Sequence, residues 1–292
     1  MSSPVFDVIV CGSLHLDIML YAPSLPRPDE TVAGTRWEQQ CGGKGGNQAV
    51  MAARASARTA MIGRVGADAF GDRLRANLAA RGVDASCVMV DKAGGSGISA
   101  AIVRDDGEYG AVIVSGANLA LDAQTADRHW RALGGARVLV LQNEIPELAN
   151  IAAARAARAM GARVLLNAAP MRGMSAALLD LVDVLVVNRI EAEALAGHPV
   201  RDAAAAQAAA PKLGAGARDV IVTLGGAGVV AQRRGQAPFF IAPIPVRVAS
   251  THGAGDCFVG ALAARLAAGA DLLAASIAAN AAAAAFVEGG GR

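Results

Sequence analysis

Short apolar runs alternate with alanine-rich stretches along most of the chain. Few polar residues interrupt these runs, as is typical of parallel strands that are buried on both faces. The runs cover residues 5–11, 137–142, 163–167, 183–188 and 219–224, and residues 146–160 and 202–213 have helical composition. This repetition predicts a doubly wound α/β fold with a mostly parallel central sheet, whose ligands bind beyond the carboxyl ends of the strands.

Two segments break this rhythm. Residues 15–40 contain three prolines between short apolar runs, and residues 96–115 alternate around Asp105-Asp106-Gly107, a hairpin signal. Together they predict a small accessory β-sheet. Residues 239–248 contain Pro243 and Pro245 and predict an edge strand or loop.

Composition narrows the classes of function. Of the 292 residues, 54% are hydrophobic and 18% charged, which excludes a mostly disordered chain. The formal net charge of +2 gives no basic field for nucleic acid and no polybasic membrane patch, so a small-molecule partner is expected. The most apolar stretch, residues 272–287, is shorter than the ~20 residues of a membrane-spanning helix and is interpreted as a buried helix.

The cysteines and the amino terminus predict a cytoplasmic protein. The four cysteines are far apart and form no C-x-x-C pair, so they are interpreted as reduced thiols rather than a zinc or redox site. Residues 1–10 include Asp7 and lack the basic and long apolar regions of a signal peptide.

The segment Ser250-Thr251-His252-Gly253-Ala254-Gly255-Asp256 precedes an apolar helical pattern. Small residues at a helix start leave backbone N–H groups free, and with the helix dipole these form an anion site suited to phosphate. Beside it, Asp256 could accept a proton from a hydroxyl, which indicates phosphoryl transfer to an alcohol. The alternative is a tight glycine turn, with Asp256 stabilising the helix start.

A second glycine cluster, residues 42–49, opens another helical pattern. It is not a P-loop, because Gly45 follows Lys44 where a Walker A motif needs Ser or Thr. Lys44 and Asn47 could instead donate to the oxygens of a polyhydroxylated ligand that the backbone approaches closely. A glycine-rich helix start with a solvated lysine is the alternative.

Asn188 and Glu191 directly follow an apolar strand. Their spacing puts two oxygen ligands on one side of a turn, which suits magnesium held through its water shell. The alternative is a capping box, with Asn188 as N-cap and Glu191 at the third helical position.

Polar groups end three further strands. Thr223, followed by Gly225, Gly226 and Gly228, could receive nucleotide phosphates or simply turn the chain. Glu144 could contact a sugar hydroxyl, order the waters of a metal, or be an exposed loop residue. His15 and Asp17 alternate onto one face, where Asp17 could accept two vicinal hydroxyls.

In their order, these motifs resemble those of the ribokinase-like, phosphofructokinase-B-type sugar kinase family. The resemblance extends over nearly the whole chain, and the joint order of the motifs is more specific than any one of them. It implies a single three-layer α/β/α domain over residues 1–292, with a β-sheet lid from residues of about 15–40 and 96–115. It also implies ATP as co-substrate, Mg²⁺, and a homodimer formed through the lid.

The resemblance also implies roles for individual residues. Asp256 would be the catalytic base, and the N–H groups of Gly253, Ala254 and Gly255 the anion hole. The sugar would contact His15, Asp17, Gly43, Lys44, Asn47 and Glu144. ATP would contact Asn188, Thr223, Gly225, Gly228 and Asn280, while Asn188 and Glu191 would organise Mg²⁺ through water.

Three departures from the family pattern modify this expectation. His15 replaces an Asn that reads a sugar hydroxyl, so the substrate need not be ribose. Ser250 replaces an Asp that helps hold an activating monovalent cation, which predicts little activation by potassium. The chain stops at Arg292, where relatives usually continue, which predicts weaker adenine binding.

The function predicted from the sequence is therefore an ATP-dependent kinase of the primary hydroxyl of a pentose or related furanose, with ribose as first candidate. A nucleoside kinase is one alternative, and would need an aromatic surface from Tyr21, Trp37 or Tyr109. A non-catalytic sugar-binding regulator is the other.

Overall fold

The computed structural model describes residues 5–104, 106, 108–213 and 219–289. In this part of the chain thirteen strands form two sheets, and helices cover the larger one. The strands are β1 Phe6–Cys11, β2 His15–Tyr21, β3 Arg36–Gly42, β4 Thr59–Gly66, β5 Val83–Asp91, β6 Gly97–Val103, β7 Tyr109–Val114, β8 Ala136–Gln142, β9 Arg163–Asn167, β10 Val184–Asn188, β11 Asp219–Thr223, β12 Val229–Arg233 and β13 Phe239–Ile241.

The helices follow the strands as the sequence pattern predicts. They are α1 Lys44–Arg54, α2 Ala69–Ala80, α3 Ala123–Ala132, α4 Glu147–Ala159, α5 Ala176–Leu179, α6 Arg189–Ala196, α7 Ala203–Leu213, α8 Ala254–Ala267 and α9 Leu272–Glu288. Among the described residues, no helix is both long enough and apolar enough to cross a membrane.

The larger sheet has the strand order β13-β12-β11-β10-β9-β8-β1-β4-β5, with parallel pairing from β11 to β5 and two antiparallel strands at the β13 edge. Its two faces pack into separate cores because successive side chains of a strand point to opposite faces. In β1, Ile9 belongs to the core covered by α3, α4, α6 and α7, and Val10 to the core covered by α1, α2, α8 and α9. The predicted α/β fold with helices on both faces is confirmed.

The smaller sheet has the order β3-β2-β6-β7 and is formed by the two predicted segments. In β2, Asp17 pairs with Gln40 and Ser99 on one face, and Ile18 pairs with Gln39 and Ala100 on the other. The turn positions Asp105 and Gly107 lie outside the described residues. The prediction of an accessory β-sheet is confirmed.

One expectation about burial was wrong. Helix α9 is buried only along Leu272, Ala275, Ser276 and Ala279, whereas Leu273 and Ile277 are 44% and 49% exposed. The helix lies on the outside of the layer, so only one stripe meets the core, and its nearly uniform alanine composition shows no period that could reveal which stripe.

Candidate active site

Three adjoining cavities lie between the small sheet, the carboxyl edge of the large sheet and the start of α8. The lid cavity, under the small sheet, has a volume of about 300 Å³ and is lined by residues that include Asp17, Met19, Tyr21, Asn47, His252 and Gly253. The central cavity, of about 220 Å³, includes Lys44, Asn167, Asn188, Glu191, Gly255 and Asp256. The apolar cleft, of about 290 Å³, includes Thr223, Gly225, Gly228, Thr251, Asn280 and Val287.

Shared residues connect the three cavities in series. Gly253 lines both the lid cavity and the central cavity. Gly255 and Thr223 line both the central cavity and the apolar cleft. A ligand under the small sheet and a second ligand in the cleft would therefore meet in the central cavity, where Asp256 lies.

Two consecutive residues of the first turn of α1 hold the carboxylate of Asp256. The side-chain Nδ2 of Asn47 donates to its Oδ2 at 3.0 Å, and Nε2 of Gln48 donates to its Oδ1 at 2.9 Å. Burial raises the pKa of Asp256, and the Lys44 ammonium and these two amide donors oppose that shift. The result is an oriented proton acceptor with a pKa above that of an ordinary aspartate.

Gln48 is a residue that sequence reasoning missed. It is fully buried, and its Oε1 accepts a hydrogen bond from Nε2 of Gln142 at 2.8 Å, which fixes its amide with the donor toward Asp256. In the sequence, Gln48 directly follows Asn47, which could have indicated a role at the same site. The helical pattern alone, however, predicts only that this glutamine is buried in the core.

The start of α8 lies where a phosphate could approach. Gly253 is the N-cap residue with φ of 81°, a left-handed conformation that glycine adopts without strain. The Ala254 N–H, one of the three donors expected for an anion hole, donates to the Thr251 carbonyl at 3.2 Å. The anion hole itself stays a prediction.

Asp17 projects from β2 into the lid cavity. Burial raises its pKa to about 6, and the carboxylates of Glu144 and Asp256 act in the same direction, while His252 and a hydrogen bond from Ser99 oppose the shift. The Asp17 carboxyl therefore changes its charge near pH 6.

Glu144 is hydrogen-bonded to the segment that follows β1 and to the first residue of α1. It accepts a hydrogen bond from the Ser13 hydroxyl at 2.5 Å and one from the Lys44 N–H at 3.0 Å. The His15 Nδ1 atom is 3.8 Å from the same carboxylate oxygen. His15 is buried, and burial lowers its pKa, so a neutral imidazole faces Glu144 at physiological pH.

The glycine cluster at the start of α1 approaches β2 closely. Gly43 has φ of 84°, and a Cβ atom at this position would lie 2.7 Å from the backbone nitrogen of His15. Lys44, expected to contact the sugar, lines the central cavity with Asp256 and Glu191. Its positive charge lowers the pKa of both carboxyls against the larger effect of burial.

Asn188 and Glu191 form the capping box that was the alternative interpretation of their spacing. The Glu191 N–H donates to the Asn188 side chain at 2.9 Å, and the Asn188 N–H donates to Glu191 Oε2 at 2.8 Å. Both side chains also line the central cavity, so the two interpretations are compatible.

Asn167, at the carboxyl end of β9, also lines the central cavity. It is 8% exposed, and its Oδ1 has no hydrogen-bond partner among the described residues. A buried amide oxygen without a partner is costly, so this one suits a cation or its bound water.

The predicted nucleotide contacts Thr223, Gly225, Gly228 and Asn280 all line the apolar cleft. The Nδ2 of Asn280 donates to the Ala242 carbonyl at 3.0 Å, which ties α9 to the segment after β13. Residues 290–292, on which the expectation of weaker adenine binding rests, lie outside the described residues.

The sequence matches a known family over almost its whole length. Residues 5–292 match the model of the pfkB family carbohydrate kinases. A ribokinase of Mus musculus is 35% identical over 259 residues, which cover 88% of this chain and 80% of the mouse protein. A deoxyribokinase of Salmonella typhi is 32% identical over 259 residues, which cover 88% of this chain and 84% of that protein.

The fold is also similar to a solved structure. The structure of Arabidopsis thaliana ribokinase in complex with ribose and ATP superposes with a TM-score of 0.87 at 30% sequence identity, covering 98% of this chain and 93% of the plant chain.

Proposed function

The chain belongs to the pfkB family of carbohydrate kinases, and we propose that it transfers the γ-phosphoryl group of ATP to the primary hydroxyl of a free pentose, ribose being the first candidate. The observation that carries this proposal is the series of three cavities that meet at Asp256. The names of relatives support the sugar, since they include a ribokinase and a deoxyribokinase.

The lid cavity suits a small polyol. Its volume of about 300 Å³ is at the lower end of small-molecule sites, which span roughly 300–1,000 Å³. Asp17 and Asn47 supply an acceptor and a donor for ring hydroxyls. The lid would also exclude water, which competes with the sugar as phosphoryl acceptor.

Asp256 would act as the general base. Its carboxylate accepts the proton of the sugar hydroxyl while that oxygen forms a bond to the γ-phosphorus, and the bond from the γ-phosphorus to the bridging oxygen breaks to release ADP. The start of α8 and the Lys44 ammonium would stabilise the negative charge on the transferring group.

Magnesium fits the residues of the central cavity. The unpartnered Oδ1 of Asn167 offers an acceptor to metal-bound water. Asn188 and Glu191, already bonded to each other, could reach the ion through further waters. When bound, Mg²⁺ would neutralise charge on the phosphate oxygens.

The lid favours a free sugar over a nucleoside. A nucleobase would need an aromatic surface, but Trp37 is 64% exposed and pairs with Leu20 on the face of the lid opposite to Asp17. The Tyr21 ring does line the cavity, but the Arg36 guanidinium lies 3.3 Å from its centre and already covers one face of the ring. The side chain of Tyr109 lies outside the described set.

The outer face of the lid supports a homodimer. Exposed apolar side chains cover this face, and an apolar patch of this kind typically marks an interface; they include Leu20, Trp37, Val112 and Val114. A second copy of the chain would cover the patch. In light scattering, Val112→Glu should convert a dimer to a monomer, whereas Ile113→Glu, on the opposite face, should do so less.

We also propose a cytoplasmic location. All four cysteines are free thiols in the structure, and thiols persist in reducing compartments.

ADP release from ATP and Mg²⁺ across a panel of pentoses, hexoses and nucleosides tests the proposed reaction. We expect turnover on a free pentose, and Asp256→Asn should lower that turnover ~10²–10⁴-fold while sugar binding is largely kept. Asp29→Asn, at an exposed position, is the matched control. If no member of the panel is turned over but sugar still binds, the result would instead favour a non-catalytic regulator.

A further inference from the structure

We propose that Phe286, near the carboxyl end of α9, is a positioning residue that holds the loop at residues 249–253 and thereby the start of α8. The inference rests on the proposed kinase reaction, since this loop leads into the expected anion hole. The loop connects all three cavities but forms no regular structure itself.

The Phe286 ring packs directly against Gly253. A Cβ atom built on Gly253 would lie 3.3 Å from both Cε1 and Cζ of that ring. Apart from the chain neighbours of Gly253, no other heavy atom of the described residues lies within 4 Å of that position. The ring therefore limits how far the N-cap residue of α8 can move in that direction.

The next residue of α9 holds the other end of the same loop. The N–H groups of Ala249 and Ser250 both donate to the carbonyl of Val287, at 3.1 and 3.3 Å. Between these ends, Thr251 and His252 are exposed to solvent. Among the described residues, the long-range backbone hydrogen bonds of the loop thus go to the same end of α9 that carries the ring.

Phe286 and Val287 lie on opposite sides of the loop. Phe286 lines the lid cavity, with Asp17 and Gly253. Val287 lines the apolar cleft, with Thr251 and Gly255. The end of α9 thus contacts both ligand sites, so a change in its position would move the loop relative to both substrates at once.

The ring also has space behind it. A further cavity of about 260 Å³ lies between α1, α8 and α9, and its lining includes Met51, Cys257, Ala282 and Phe286. Truncation of the ring would join this space to the lid cavity, which also includes Met51 and Phe286. The loop would then lose its support, because no side chain fills the gap.

The expected effect is on turnover more than on binding. Backbone donors stabilise a transition state only when they are placed correctly, and a misplacement of about 1 Å can cost on the order of 10²-fold in rate. The groups expected to bind the sugar, such as Asp17 and Asn47, belong to other elements and keep their places.

The experiment compares Phe286→Leu and Phe286→Ala with the wild type in steady-state kinetics on the sugar that the panel identifies. We expect Phe286→Ala to lower kcat ~10–100-fold while both KM values change less than about threefold, and Phe286→Leu to restore most of kcat. Ile277→Ala, an exposed apolar residue on the same helix, is the matched control for stability and should leave kcat unchanged.

The outcomes separate the inference from the proposed function. An inactive wild type would overturn the proposed function, and the inference with it. With an active wild type, an unchanged kcat in Phe286→Ala, or a loss carried entirely by KM, would overturn the inference alone. If the alanine variant does not fold, Phe286→Val replaces it. We then expect kcat to decrease from the wild type to Phe286→Leu to Phe286→Val, and any other order would contradict the inference.

Discussion

Gln48 Nε2 lies 2.9 Å from Asp256 Oδ1, so a buried amide of α1 is bonded to the candidate catalytic base at the start of α8. Gln142 fixes the orientation of that amide by donating to its oxygen. Three side chains from β8, α1 and α8 thus form a chain of hydrogen bonds that ends on the carboxylate. The residues at its ends lie 114 positions apart in the sequence, so only the fold brings them together.

Gln48→Leu should shift the acidic limb of the kcat profile to higher pH. The Gln48 hydrogen bond lowers the pKa of Asp256 against the effect of burial, so its loss lets that pKa rise. A hydrogen bond to a charged group contributes ~1.5–3 kcal/mol and one pKa unit equals about 1.4 kcal/mol, so a shift of about one unit is expected. Stopped assays from pH 5 to 9 at saturating sugar would measure it.

Gln207→Leu on α7 is the control for this substitution, because it changes the same residue type away from the three cavities. A kcat profile that keeps the wild-type midpoint in Gln48→Leu would show that the amide contributes to packing alone.

The sequence predicted the fold well because local pattern and tertiary burial agree. The apolar run at residues 163–167 became β9 with the predicted bounds, since a strand buried on both faces needs an unbroken run. Outside these runs, the prolines of residues 15–40 and the alternation of apolar and polar residues in 96–115 indicated the segments that form the smaller sheet. For α9 the local pattern did not indicate the burial, because a helix composed mostly of alanine shows no periodicity that identifies its buried side.

The site could be predicted only as far as its residues lie at strand ends or in glycine motifs. Asp17 and Asp256 have such positions, and the structure brings both to the cavities. Gln48 lies in the glycine cluster and Asn167 at the end of a strand, but the sequence does not show which group each side chain faces. Phe286 acts through a contact between distant elements, so its residue type alone indicates nothing. The face of the lid that Trp37 occupies follows from strand register, which the sequence does not specify by itself.

Asp17 should make sugar binding depend on pH near 6. Its pKa is raised to about 6, so the carboxylate is lost as the pH falls through that value, and with it an acceptor for ring hydroxyls. KM for the sugar should rise severalfold from pH 8 to pH 5 in the wild type. A KM that stays constant over this range would contradict the assignment of Asp17 as a sugar contact.

Asp17→Asn should stabilise the protein at high pH. A carboxyl whose folded pKa is raised from 3.8 to about 6 costs stability as the pH rises through this range, and the cost is complete above pH 6. Removing the charge should increase the free energy of unfolding at pH 8 by on the order of 1–3 kcal/mol, with little gain at pH 4. Urea titrations at the two pH values measure this, with Asp29→Asn as the exposed control.

Glu191→Gln should raise the magnesium requirement without unfolding α6. Glutamine can also complete a capping box, so the hydrogen bond to the Asn188 N–H is kept while the charge is removed. The Mg²⁺ concentration for half-maximal rate should rise severalfold, and calorimetry of Mg²⁺ with ADP should show weaker binding. Glu193→Gln, partly exposed on the same helix, is the control. An unchanged titration would leave Glu191 with its capping role only.

Potassium should activate the enzyme little, because position 250 carries a hydroxyl where a carboxylate would attract a cation. The Ser250 Oγ accepts a hydrogen bond from the His252 N–H at 3.3 Å, and the Ser250 N–H is bonded to Val287, so local bonds already order this turn. Replacing K⁺ by tetramethylammonium at constant ionic strength should change kcat less than about twofold, since a neutral oxygen attracts a cation less than a charged one. Ser250→Asp should introduce a dependence on K⁺ that the uncharged Ser250→Asn lacks. A strong dependence in the wild type would mean that backbone carbonyls alone suffice to hold the ion.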